Sequence, residues 1–118
     1  MANSAARRFL FSIDDLAAAR GAERELSFTG GGPDAFAAAL QTALREPALW
    51  QQWLDRQSDP DEVDKTLGAT DPAARVTAEQ HDLRTDVTAT TTLSHAILRH
   101  RLNLLIGSNW ALQDVRSA

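Results

Sequence analysis

The side chains able to do chemistry in this sequence are few and scattered. Its three histidines, His81, His95 and His100, are the groups whose ordinary titration lies close to neutrality. His81 follows Glu79 by two residues and precedes Asp86 by five. On a β-hairpin that spacing puts Glu79 and His81 on one face and sets Asp86 opposite them. Such a set can pass a proton or contribute to a metal site. It is also what an ordinary polar strand surface looks like. No further ligand is identifiable, so no metal and no cofactor is expected. His95 and His100 are five apart and point to different sides of a helix, whereas zinc ligands sharing a helix sit four apart. They read as surface or partly covered. No serine lies in a G-x-S-x-G context. With no cysteine in the chain, thiol catalysis, disulfides and iron–sulfur ligation are excluded.

Two loops invite an ion and fail on inspection. Gly30-Gly31-Gly32 stands before a helix, where phosphate loops occur. It matches neither G-x-x-x-x-G-K-[ST] nor G-x-G-x-x-G. Pro33 removes an amide donor, and Asp34 puts a carboxylate where an anion would sit. Asp59-Pro60-Asp61-Glu62-Val63-Asp64 is acidic but lacks the glycine and the ligand spacing of a calcium loop. Arg101 is the anomalous residue. Helical spacing places it inside the apolar stripe of Ile97, Leu98, Leu102 and Leu105. Its stem is expected to pack while its head snorkels to water; a carboxylate partner or an acidic ligand is the sharper alternative.

Composition narrows the partners. The net charge is −4, with 16 acids against 12 basic residues, all arginine except Lys65. A phosphate-binding surface normally shows clustered positive charge, so no nucleic acid is expected. No apolar run approaches the roughly 20 residues of a membrane span. The run Phe9-Leu10-Phe11-Ser12-Ile13 is too short for a signal-peptide core. The expectation is a soluble cytoplasmic protein.

The elements that must position these residues follow from periodicity. The 118 residues suit one domain, with residues 1–7 frayed. Alternation predicts a strand over 8–14, a short helical turn after Asp15 stopped by a left-handed Gly21, and a second strand over 24–29 with Leu26 and Phe28 inward. Helix one spans Pro33–Arg45, with Phe36, Leu40, Ala43 and Leu44 on one face. Helix two runs from Pro47 to about Gln57 with Trp50 and Trp53 on its apolar side. Residues 58–74 form a long acidic loop, mobile or functional. Residues 75–93 make a hairpin in which a four-residue turn sets His81 against Asp86. Val76, Ala78 and Gln80 then share a face with Val87, Ala89 and Thr91. Thr77, Glu79 and His81 share the other with Asp86, Thr88 and Thr90. Helix three spans Ser94–Ile106 with Gly107 as its stop, and residues 109–116 form a last strand. The order β-β-α-α-β-β-α-β predicts an α+β layered domain, an antiparallel sheet with helices on one face.

With no catalytic set, the leading expectation is a small non-enzymatic interaction or regulatory module. The last strand, carrying Trp110 and Leu112, is its interface, and the partner is a second copy or another protein. The alternative is a small enzyme or ligand-binding protein using Glu79, His81, Asp86 and Arg101, or the acidic loop.

Overall fold

Phe9, Phe11 and Ile13, spaced two apart, build the core face of a central strand. In the computed structural model, which describes residues 5–118, β1 (Arg7–Ile13) lies inside a four-stranded antiparallel sheet. Its companions are β2 (Arg75–His81), β3 (Arg84–Thr91) and β4 (Ala111–Ser117), in the order β2-β3-β1-β4. β2 and β4 are therefore the edges. The fraying expected over 1–7 falls outside the described residues for 1–4. Beyond them Arg7 is already paired with Ser117, and Ala118 N–H donates to Ala6 O at 3.2 Å.

One face of the sheet is apolar and covered. Phe9, Phe11, Ile13, Val76, Val87 and Ala89 are all buried there, packed against the helices. The helices are α1 (Pro33–Arg45), α2 (Ala48–Asp55) and α3 (His95–Ile106). α1 begins at Pro33, where a missing amide costs nothing. Phe36, Leu40, Ala43 and Leu44 form its buried stripe, as their spacing requires. α3 is capped by Ser94, whose hydroxyl accepts from Ile97 N–H. It ends at Gly107, whose φ of 64° belongs to the left-handed region that glycine enters freely.

Three expectations need correction. Residues 24–29 form no strand. Leu26 N–H and Ser27 N–H turn back to Glu23 O, and Phe28 N–H bonds Leu105 O, a free carbonyl of the last turn of α3. Leu26 and Phe28 still point inward, which is why alternation alone suggested a strand. The other elements follow in the expected order. Gly21 is not a left-handed stop. It lies so close to Leu104 O of α3 that a Cβ has no room. Finally, the hairpin turn has two residues, Asp82 and Leu83, with Asp82 at φ 57°. His81 therefore pairs with Arg84, and Glu79 with Asp86. The expected faces survive because a slip of two residues preserves the alternation. Val76, Val87 and Ala89 are buried, while Thr77 and Glu79 are exposed.

The stretch 58–74 carries two 3₁₀ turns, Pro60–Glu62 and Lys65–Gly68. It is tied down at its end by Asp71. That buried carboxylate accepts from Thr91 Oγ1 at 2.8 Å, Thr92 N–H at 3.0 Å and Ala73 N–H at 3.0 Å. Desolvation alone would raise its pKa, but these bonds outweigh it and hold the carboxyl below its ordinary value.

Candidate functional site

The polar hairpin face gathers three of the residues singled out by sequence. Glu79, His81 and Asp86 lie on the sheet face opposite the helices. His81 Nε2 stands 3.7 Å from Asp86 Oδ2, diagonally across the strands. Asp86 is also held by Arg84, whose Nε lies 3.1 Å from Oδ1 and whose second nitrogen donates to Oδ2 at 3.2 Å. Both oxygens of the carboxylate are thus engaged by a guanidinium. The His81 and Asp86 side chains are 56% and 42% exposed. Among the described residues no three His, Asp or Glu side chains converge as a metal set.

Arg101 is elsewhere. It is buried on the helix side of the sheet, and its expected snorkelling is overturned. Its guanidinium donates to three backbone carbonyls: Ala43 O at 3.2 Å, Leu67 O, and Ala69 O at 2.8 Å. Ala43 lies in the last turn of α1, where carbonyls lack helical partners and the helix end is negative. Leu67 and Ala69 belong to the second 3₁₀ turn and its exit. Burial pushes the Arg101 pKa down to about 10, so it stays charged at neutral pH. Sequence spacing found the buried position; the acceptors are main-chain atoms, which side-chain identities do not announce. Arg101 therefore joins α1, α3 and the 58–74 stretch, and contributes no donor to the polar hairpin face.

Beside it, His100 packs edge-on against Trp53, with ring centroids 4.4 Å apart. Its Nδ1 is buried without a hydrogen-bond partner among the described residues. Burial, and then the Arg101 charge, lower its pKa. Next to this layer, Gly68 lies so close to the Trp50 indole that no Cβ fits between them.

The chain matches no protein-family model, no curated protein and no solved structure. Its site must be read from its own geometry.

The most distinctive surface is β4. It lies at the edge of the sheet, and all seven of its residues are exposed. A bulge between its pairings with Leu10 and Phe11 puts Leu112 opposite Phe11 and Val115 opposite Phe9. Both therefore point to the helix side, yet remain 39% and 40% exposed, because no helix covers this margin. Trp110 closes the near end. It meets Phe11 edge-on at 5.9 Å, and its Nε1 donates to Asn103 Oδ1 at 3.3 Å. Asp114 and Arg116 point to the opposite face, with Arg116 Nε 2.7 Å from Asp114 Oδ2. The bulged Gln113 reaches Ser12 Oγ at 2.9 Å. Among the described residues no helix of the chain is long and apolar enough to cross a membrane.

Proposed function

We propose that this protein is a non-enzymatic interaction module that works as a homodimer through β4. The observation that carries this reading is a seven-residue edge strand, exposed along its whole length, with Leu112 and Val115 uncovered on its helix side. Such an edge offers unpaired N–H and C=O groups to another strand. Chains that leave an edge unpartnered usually shorten it, bend it away or crowd it with charge. Here the bulge and the Asp114–Arg116 pair guard only part of it, and the apolar side remains open. A second copy is the occupant that closes the edge by symmetry.

Catalysis on the polar hairpin face is the weaker reading. The His81–Asp86 pair supports it, but Arg84 already occupies the carboxylate. The face around the pair is solvated, whereas small-molecule sites are concave and largely apolar.

Sedimentation of the wild-type chain at about 100 μM tests the proposal, since a standard interface binds more tightly than that. A dimer that Leu112→Lys together with Val115→Lys converts to monomer is expected. A wild-type monomer at that concentration overturns it.

A further inference from the structure

Resting on the dimeric reading, the geometry points to one pairing register. We infer that two β4 strands join antiparallel about a two-fold axis beside Val115, setting Asp114 of each copy against Arg116 of the other.

The backbone says which groups face outward. Ala118 N–H donates to Ala6 O, so the register Arg7↔Ser117 makes residues 6 and 118 a hydrogen-bonded pair. Alternation along the strand then turns the main-chain groups of Arg116 and Asp114 toward β1. Those of Ser117 and Val115 point away from it. The Val115 amide agrees, for it donates to its own Asp114 Oδ1 at 2.8 Å and not to β1. A two-fold axis perpendicular to the sheet keeps each face on its own side. Sliding one copy along the other is therefore allowed only in steps of two.

Charge selects among those steps. With Val115 opposite Val115 of the second copy, Asp114 meets Arg116 twice, once on each side of the axis. One step one way puts Asp114 against Asp114; one step the other way puts Arg116 against Arg116. Like charges directly opposite are unfavourable. In the selected register the Asp114–Arg116 pairs fall at positions without main-chain bonds, where facing side chains approach most closely. The two Val115 residues meet on the apolar side and exchange main-chain bonds. In the free chain Asp114 caps the Val115 amide and holds its own Arg116. On pairing, the amide passes to the carbonyl of the second copy, and the carboxylate to its arginine. The joined sheet has eight strands.

Two experiments test this register separately from dimerisation itself. The chain has no cysteine, so Val115→Cys introduces a single thiol. Facing Cα atoms at such a pair lie about 5.5 Å apart, within disulfide range. Mild oxidation is expected to link Val115→Cys into a covalent dimer and to leave Leu83→Cys, at the hairpin tip, unlinked. In the second, Asp114→Arg and Arg116→Asp are each expected to weaken self-association about tenfold by placing like charges opposite. Mixing these two variants in equal amounts is expected to restore a dimer, because each then supplies the other's opposite charge. A pair acting only within one chain cannot be rescued by mixing. If the wild type sediments as a monomer, the dimeric reading falls and this register with it. If it dimerises while Val115→Cys fails to link and mixing fails to rescue, the register alone is wrong.

Discussion

Arg101 shows how a buried charge can be held without a carboxylate. Its three acceptors are carbonyls, each carrying partial negative charge, and one belongs to a helix end that needs a partner. Arg101→Ala removes the donors from all three at once. Hydrogen bonds to charged groups contribute about 1.5–3 kcal/mol each, and orphaned buried acceptors cost on a similar scale. Urea melts are expected to show a loss of roughly 3–5 kcal/mol. A loss near 1 kcal/mol would mean that the guanidinium reaches water. Arg101→Lys should fall between, since an ammonium cannot span the same fork of carbonyls. The neighbouring His100 sets a pH dependence. Its folded pKa lies below 6.5, through burial and Arg101. As pH falls through 6.5 the unfolded chain takes up the proton first, so stability decreases until the folded imidazole protonates too. Melts between pH 8 and pH 5 are expected to show this decline, and His100→Gln to flatten it. An unchanged slope in the variant would assign the dependence to another group.

At the scale of elements, α3 and the segment after α2 hold one another through buried polar contacts. Asp71 ties the end of that segment to the start of the loop before α3. Its folded pKa lies below 3.8, so its stabilising effect is present above that value and lost as pH falls through the folded pKa. Asp71→Ala strands two amides and a hydroxyl, and is expected to cost about 2–4 kcal/mol by urea melt. A change within about 0.5 kcal/mol would show those donors reaching water instead. Much of this arrangement is legible in sequence. α1 begins at Pro33, and α3 lies between its Ser94 cap and its Gly107 stop, because caps and stops carry distinct residue types. The covered and open hairpin faces follow from period-two alternation. The same period is blind to a slip of two, so His81 falls opposite Arg84 and not Asp86. It also cannot separate a strand from an extended segment whose amide finds a helix-end carbonyl, as at Phe28. Of the residues proposed for the interface, Trp110 is half-buried in the packed core margin, while Leu112 and Val115 form the uncovered part.

For the whole molecule, the helices cover one side of the sheet but stop short of β4, and β4 lies at its margin. That incompleteness is the observation behind the proposed interaction role. The hairpin face offers no converging metal set among the described residues. Calorimetry with zinc or calcium is accordingly expected to give no stoichiometric site of micromolar affinity, and such a site would return attention to Glu79, His81 and Asp86. The proposed dimer depends on the outward groups of β4, and amide hydrogen exchange reads them directly. In an isolated chain, exchange along β4 alternates. Arg116, bonded toward β1, is slow, while Ser117 and Val115, facing out, are fast. At about 100 μM, where a standard interface is populated, Val115 and Ser117 are expected to become as slow as Arg116. Persistence of the alternation at that concentration, with Val115 and Ser117 still fast, would rule out the β4 dimer.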